Sequence, residues 1–140
     1  MEVKQINEQV SVGGQIAPGD VATLKAMGFV AIVNNRPDGE SPGQPTGAEI
    51  AAAAEAAGLG YHAIPMGRAG VSPDMIAQTR EALAESGGPV FCFCRSGTRS
   101  TTLWALSQAG QLAPDEIVQA AAKAGYDMSH LLGHLSGPLA

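Results

Sequence analysis

The sequence is poor in charged residues, in aromatic residues and in cysteine. Of its 140 residues, 15% are charged and 4% are aromatic, whereas 45% are apolar and 18 are glycine. The net charge of -5 excludes general binding to nucleic acid or to an anionic membrane, because both need many lysines and arginines. Because aromatic residues are few, small side chains must bring helices and strands close together. The length of 140 residues suits one domain, which is expected to span residues 1–140.

Long apolar runs are also missing. No stretch is long enough to span a membrane, and the first residues lack the basic-then-apolar order of a secretion signal, so we expect a cytoplasmic location. The two cysteines, Cys92 and Cys94, are separated by one residue, and this spacing does not suit a disulfide on an extended chain. Both are expected to be free thiols, as is usual in a reducing compartment.

Strand-like and helix-like segments alternate along the chain. This order predicts an α/β fold, a single domain with a mostly parallel central sheet flanked by helices. Strands are predicted at about residues 3–6, 9–12, 29–33, 60–64 and 89–93. Helices are predicted at about residues 18–27, 46–57, 98–109, 114–124 and 129–135, with another beginning at residues 72–74. Three loops, at residues 34–44, 66–71 and 94–100, share the carboxyl edge of the sheet, where open parallel sheets bind ligands.

The segment from Cys94 to Ser100, with the sequence Cys-Arg-Ser-Gly-Thr-Arg-Ser, points to covalent chemistry. It joins a buried strand to a helix N-terminus, where backbone N–H groups and the helix dipole stabilise negative charge. Gly97 allows successive N–H groups to turn inward. We therefore predict that Cys94 is a thiolate nucleophile, whereas Cys92, inside an apolar strand, is expected to be structural.

Several side chains of the same loop are candidates for substrate binding. Arg99 is expected to hold an oxyanion through two parallel hydrogen bonds, and Arg95 to set the charge at the mouth. The loop also offers further hydrogen-bond donors, at Ser96, Gly97, Thr98 and Ser100.

A second loop supplies two more candidates. Arg36 is expected to assist anion binding, and Asp38 to act as the general acid of a phosphatase. A plain solvated turn is the alternative, because Arg-Pro-Asp-Gly-Glu at residues 36–40 has strong turn chemistry. Asp74 is another candidate acid, although its place after Ser72-Pro73 also suits neutralisation of a helix N-terminus.

His130 and His134 are four residues apart, the spacing of half a metal site on a helix. No third ligand has suitable spacing. We therefore predict no metal and no other cofactor.

Two resemblances can be named on these residues. The Cys94 loop is similar to the active loop of rhodanese-type sulfurtransferases. Nearly the whole chain resembles the phosphatase-like domain of bacterial beta-lactamase-hydrolase-like proteins, through residues 12–15, 34–40, 64–65 and the Cys94 loop. The second resemblance implies a protein-tyrosine-phosphatase-like fold, and members of that group are described both as phosphatases and as sulfurtransferases.

Loop spacing favours sulfur transfer. Tyrosine-phosphatase loops resemble one another in placing five residues between the cysteine and the arginine, whereas four separate Cys94 from Arg99, as in rhodaneses. A dual-specificity phosphatase is also expected to carry His immediately before the cysteine and Asp shortly after the strand that ends at Ile64-Pro65, but this sequence has Phe93 and Met66-Gly67-Arg68. Ester hydrolysis calls for a general acid, whereas sulfite leaves thiosulfate as a stable anion.

The leading expectation is therefore a rhodanese-like sulfurtransferase. It moves sulfane sulfur from thiosulfate or a persulfide through a Cys94 persulfide to a thiol or cyanide acceptor. The alternative is a cysteine-dependent phosphatase that uses Cys94 and Arg99, and a third possibility is a non-catalytic anion or persulfide sensor. The expected partner is a small anion such as thiosulfate, a persulfide or a phosphate ester, and the oligomeric state is left open.

Overall fold

A five-stranded sheet lies at the centre of the computed structural model, which describes residues 1–135. The strands, in chain order, are β1 Lys4–Gln5, β2 Val10–Gly13, β3 Ala31–Asn34, β4 Gly60–Ala63 and β5 Val90–Phe93. Their spatial order is β1-β2-β5-β3-β4, and β1 pairs with β2 in the antiparallel sense while the other pairings are parallel. The predicted α/β class and mostly parallel sheet are confirmed.

Helices cover both faces of this sheet. Among the described residues they are α1 Asp20–Ala26, α2 Gly47–Ala57, α3 Pro73–Ser86, α4 Thr98–Ser107, α5 Pro114–Lys123 and α6 Leu132–Leu135, with a 3-10 turn at Ser129–Leu131 before α6. Within the described part of the chain, no helix combines the length and the hydropathy needed to cross a membrane. Residues 136–140 of the predicted domain lie outside the described residues.

The central strand β5 divides the core into two layers. Phe91 and Phe93 point to the layer that α1 and α2 cover, whereas Val90 and Cys92 point to the layer that α3, α4, α5 and α6 cover. Because successive strand residues face opposite sides, a strand that is apolar throughout must be buried on both faces. Because β5 is packed on both faces, the position of its last residue is fixed, and so is the position at which the next loop starts.

Local hydrogen bonds explain where α1 and α2 begin. The predicted capping box of α2 is present: the Thr46 hydroxyl accepts from the Glu49 amide, and the Glu49 carboxylate accepts from the Thr46 amide. By contrast, α1 begins at Asp20 and not at residue 18, because the Asp20 carboxylate accepts from the Ala17 amide in a turn that precedes the helix.

Strand β1 is shorter than the predicted segment 3–6. The amides of Ile6 and Asn7 both donate to the Val10 carbonyl, at 2.9 and 3.2 Å, so the chain already turns there. The Asn7 side chain completes the turn by accepting from the Gln9 and Val10 amides.

Candidate active site

The loop after β5 is built around the sulfur atom of Cys94. Residues 94–97 join β5 to α4, and Gly97 stands at the N-cap of α4 with φ of +94°, a conformation that glycine adopts without strain. The Gly97 amide donates to Cys94 Sγ at 3.0 Å. Cys94 is 1% exposed, whereas Arg95, Ser96 and Thr98 of the same loop are exposed.

Two opposing effects act on the Cys94 thiol. Burial by itself raises its pKa, but hydrogen bonds from the backbone amides of Ser100, Ser96, Gly97 and Arg99 favour the thiolate, and the net result is a pKa below the ordinary value of 9.0. These amides belong to the loop and to the first turn of α4. The positive end of the helix dipole lies there and also stabilises negative charge. The loop can therefore hold an anion at its centre.

Glycines of β2 allow the neighbouring chain to approach this loop closely. The Cys94 amide donates to the Gly13 carbonyl at 3.3 Å. A Cβ atom on Gly14 would lie 2.9 Å from the Arg95 carbonyl oxygen, closer than side-chain carbons come to backbone oxygens. The absence of a side chain at Gly14, directly after β2, therefore allows the chain to pack closely against Arg95 of the Cys94 loop.

Arg99 is fixed from its outer side. Its Nη1 and Nη2 atoms donate to the two carboxylate oxygens of Glu40, each at 2.8 Å, and Nη1 also donates to the Met66 carbonyl at 2.8 Å. The hydrogen bond with Arg99 is the main reason that the pKa of Glu40 falls from 4.5 to about 2, so Glu40 is an anion at neutral pH. Glu40 and Met66 come from two different loops at the carboxyl edge.

This arrangement leaves one edge of the guanidinium open. A guanidinium has five N–H bonds, and Glu40 and Met66 use both of those on Nη1 and one on Nη2. The remaining pair, on Nε and Nη2, is parallel, and the charge of the Cys94 thiolate helps to raise the pKa of Arg99, after the larger effect of Glu40. Arg99 thus keeps a two-pronged donor that neither Glu40 nor Met66 uses.

Arg36 does not share this position. It is buried, and its three guanidinium nitrogens donate to Glu40 Oε1, Gln15 Oε1 and Ser41 Oγ at 2.9, 3.1 and 3.0 Å. Its contact with Glu40 helps to hold the residue that orients Arg99. The structure therefore places Arg36 behind Glu40, as a support, and not beside Cys94 as the sequence suggested.

The two predicted acids both lie at helix N-termini. Asp38 accepts from the Gly47 amide at 2.8 Å, at the N-terminus of α2. Asp74 is exposed in the first turn of α3. Negative charge is favourable at both helix N-termini, and this accounts for the two side chains without a proton-transfer role.

The hydroxyl groups of the loop differ in their surroundings. Ser96 and Thr98 are exposed, and their oxygens lie 3.3 Å apart. The Ser100 hydroxyl is buried and has no hydrogen-bond partner within the described residues. The Ser100 amide is among those that lower the pKa of Cys94, and the unpaired hydroxyl of the same residue is a candidate donor to a bound anion.

Sequence reasoning missed Tyr126 and Glu40. Tyr126 follows α5, and its hydroxyl donates to the Ser96 carbonyl at 2.8 Å. The signal for Tyr126 was Gly125 after an alanine-rich helix, which predicts a buried residue just beyond the helix end. Glu40 offered no signal beyond its charge, because its partner Arg99 is 59 positions away.

The histidine pair predicted to imitate half a metal site is exposed: His130 lies in the 3-10 turn and His134 in α6. Among residues 1–135, no group of three or more His, Cys, Asp or Glu side chains is arranged to hold a metal ion.

Comparisons with known proteins place this site in context. The family model described as beta-lactamase hydrolase-like protein, phosphatase-like domain, matches residues 2–111. A beta-lactamase hydrolase-like protein of Agrobacterium fabrum is 38% identical over 130 residues, and one of Xylella fastidiosa is 34% identical over the same length. Each match covers 91% of this chain, which spans 30% of the length of these relatives.

Solved structures show the same fold. A candidate phosphatase from Neisseria meningitidis superposes with a TM-score of 0.82 at 28% identity, over 97% of both chains. PTPMT1 (TM-score 0.68, 17% identity, 96% of this chain and 85% of that chain) and the catalytic domain of the PP-IP phosphatase SIW14 from S. cerevisiae (0.68, 11%, 97% and 84%) share the fold alone. The predicted protein-tyrosine-phosphatase-like architecture is therefore confirmed.

These matches correct the order of the two predicted activities. The family is described as phosphatase-like and the Neisseria structure as a candidate phosphatase, and this supports the alternative and not the leading sulfurtransferase prediction. The four-residue spacing describes the local path of one loop. It does not specify the sheet and helices on which the loop stands, so it was a weak guide to the family.

Proposed function

Because the chain belongs to the family of beta-lactamase hydrolase-like protein, phosphatase-like domains, we propose that it is a cysteine-dependent phosphatase that hydrolyses small phosphate monoesters. The observation that carries this proposal is the ring of backbone amides that favours the Cys94 thiolate beside the open edge of Arg99. A phosphoryl group in transfer carries negative charge on three oxygens, and several N–H donors in one ring suit that charge.

The proposed reaction has two steps. In the first, the Cys94 thiolate attacks phosphorus, an S–P bond forms, and the P–O bond to the leaving group breaks. In the second, water attacks phosphorus, the S–P bond breaks, and inorganic phosphate leaves while the thiolate is restored. The proton lost by that water balances the proton taken up by the leaving alkoxide or phenoxide. The Ser100 hydroxyl is available to donate to the departing thiolate.

The leaving group narrows the choice of substrate. Glu40 is held as an anion by Arg99 and Arg36, and Asp38 is bound to the N-terminus of α2, so neither carboxylate is suited to protonate a leaving oxygen. We infer that the enzyme prefers esters whose leaving group is a stable anion, such as a phenoxide of low pKa.

Hydrolysis of 4-nitrophenyl phosphate tests the proposal. The Cys94→Ser variant should lose activity by a factor on the order of 10⁴ or more, because the nucleophile is removed. Cys92→Ala is the matched control, since Cys92 lies two residues earlier, in β5, where its side chain is part of the hydrophobic core. Activity that survives in Cys94→Ser would contradict the proposal, as would equal loss in both variants.

Sulfur transfer is the second candidate, and one observation favours it. Its leaving group, sulfite, departs as an anion and needs no proton, and this agrees with the bound state of Glu40 and Asp38. Thiosulfate would then add one sulfur atom to Cys94 as a persulfide, with release of sulfite. Mass spectrometry of the intact protein after thiosulfate treatment distinguishes the candidates, because a phosphatase that does not transfer sulfur keeps its original mass.

A further inference from the structure

One peptide unit of the loop is held from both sides. The carbonyl of Ser96 accepts from the Tyr126 hydroxyl at 2.8 Å, and the N–H of Gly97 donates to Cys94 Sγ at 3.0 Å. These two groups belong to the same peptide bond, and in a trans peptide they point in opposite directions. Tyr126 and the sulfur of Cys94 therefore lie at opposite edges of the Ser96-Gly97 peptide unit.

The backbone does not favour this orientation by itself. With Gly97 at φ of +94°, a flip of the peptide would bring φ to about -90°, a value that every residue tolerates. The flipped peptide would direct its carbonyl oxygen, and not its N–H, at the sulfur. A partial negative charge next to the thiolate would then replace a hydrogen-bond donor, so the orientation of this peptide decides whether the loop stabilises an anion.

Backbone hydrogen bonds and side-chain packing hold Tyr126 in place. It directly follows the glycine that ends α5: the Gly125 amide donates to the Ala122 carbonyl and the Tyr126 amide to the Ala121 carbonyl, at 3.0 and 2.9 Å, the two bonds of a Schellman motif. The Lys4 ammonium lies 5.1 Å from the centre of the Tyr126 ring. The ring is buried in the core, and this burial restricts where the hydroxyl can lie relative to the loop.

Space as well as hydrogen bonding ties Tyr126 to the loop. A Cβ atom added to Gly97 would overlap the Tyr126 hydroxyl. The phenol therefore fills the volume into which residue 97 would otherwise extend. Hydrogen bonds in series also polarise one another, so donation to the Ser96 carbonyl strengthens the Gly97 N–H as a donor.

We propose that Tyr126 is a positioning residue of the active site, which keeps the Ser96-Gly97 peptide turned so that its N–H faces Cys94. The part of this inference that concerns catalysis rests on the proposed function. The part that concerns the thiolate does not, because the ionisation of a thiol can be followed without any substrate. The two can therefore fail separately.

Charged or titratable side chains reach Cys94 from several elements. Cys92 lies in β5, Arg99 in α4 and Tyr126 after α5, and Glu40 lies beyond Arg99. Burial raises the pKa of Tyr126 above its ordinary value of 10.0, so the phenol is neutral near pH 7. Replacing Tyr126 by Phe therefore changes no charge, and any effect on Cys94 comes from the lost hydroxyl.

The experiment follows alkylation of Cys94 by iodoacetamide as a function of pH, in wild type and in Tyr126→Phe. We expect the midpoint for the variant to rise by about one pH unit and the rate at pH 6 to fall roughly tenfold, because one hydrogen bond to the thiolate is weakened. Hydrolysis of 4-nitrophenyl phosphate should show the same shift in its acidic limb, with recovery at higher pH. A merely structural role would lower thermal stability without moving either midpoint.

Tyr61→Phe is the control, because it also removes a phenol hydroxyl from a hydrogen bond: the Tyr61 hydroxyl is half-buried and accepts from the Asn34 side-chain amide. It should leave the Cys94 midpoint unchanged. An unchanged midpoint in Tyr126→Phe, or an equal shift in Tyr61→Phe, overturns the inference. If the alkylation midpoint shifts as expected but neither the wild type nor a variant hydrolyses phosphate esters, the positioning role stands and the proposed function fails.

A measurement on the wild type needs no substitution. The amide proton resonance of Gly97 should move with the same midpoint as Cys94 alkylation, because that proton is bonded to the sulfur. A Gly97 amide that does not respond to the ionisation of Cys94 would also overturn the inference.

Discussion

The interior of β5 and the loop directly after it give two cysteines opposite chemistry. Cys92 and Cys94 are two residues apart, and both are almost fully buried, with 3% and 1% of their surface exposed. Burial raises the pKa of Cys92 to about 12, whereas backbone amides lower that of Cys94 below 9.0. The fraction of surface buried therefore does not determine whether a thiol ionises. The donors that face the sulfur do.

The largest expected contrast is between the reactivities of the two thiols. The thiolate is the reactive form, and a separation of at least about three pKa units predicts at least a roughly 1,000-fold difference in alkylation rate at pH 7. Peptide mapping after brief iodoacetamide treatment should find Cys94 modified and Cys92 intact. Comparable labelling of both residues in the folded protein would contradict the difference in pKa between the two thiols.

Gly97→Ala should weaken the anion site next most strongly. The substitution strains a backbone with φ of +94° and drives a methyl group into the Tyr126 hydroxyl, so the Gly97 donor is displaced. We expect kcat/KM for an aryl phosphate to fall by about 10²–10³, as when one donor to a developing charge is lost.

Gly87→Ala is the control for strain alone. Gly87 also has a positive φ, +68°, at the end of α3, with open space around it. This variant should lose about 1 kcal/mol of stability and keep its activity. A similar loss of activity in both glycine variants would show that strain and not the donor matters.

Glu40→Gln should have the smallest of these effects. The neutral amide cannot hold both guanidinium nitrogens of Arg99, so the open edge is less firmly directed at the sulfur. We expect kcat/KM to fall about tenfold, mostly through KM, since an oriented arginine contributes chiefly to binding of the anion. Glu55→Gln, on the exposed side of α2, should change neither value.

The same carboxylate gives a dependence of stability on pH. The pKa of Glu40 is lowered to about 2, so its contribution to stability is complete above pH 4.5 and is lost as the pH falls toward 2. Thermal unfolding at pH 7 and pH 3 should therefore show a smaller acid-induced loss in Glu40→Gln than in wild type. An equal loss in the two proteins would mean that the ion pair adds nothing to folding.

The features predicted from sequence were those written in short stretches of chain. An apolar strand that leads through Cys-Arg-Ser-Gly into a helix specifies β5, the loop and α4 by local rules, and Thr46 with Glu49 specifies the start of α2. The parallel sheet followed from the alternation of strands and helices. Such features can be predicted from sequence because they depend only on residues that are neighbours in the chain.

The features missed depend on pairs far apart in sequence. Glu40 binds Arg99 across 59 positions, and Tyr126 binds the Ser96 carbonyl across 30. Arg36 and Asp38 were assigned to the pocket because their loop leaves the correct edge of the sheet. Each side chain, however, turns to a nearer partner, Glu40 or the Gly47 amide. Position at an edge does not fix side-chain direction.

The contact between Tyr126 and the loop also has a meaning for biosynthesis. Residues 94–100 leave the ribosome before Tyr126, and the Schellman turn that carries this tyrosine forms only after α5 is complete. We therefore expect a nascent chain that has not yet reached Tyr126 to carry a less reactive Cys94, because the donor to the Ser96 carbonyl is still missing.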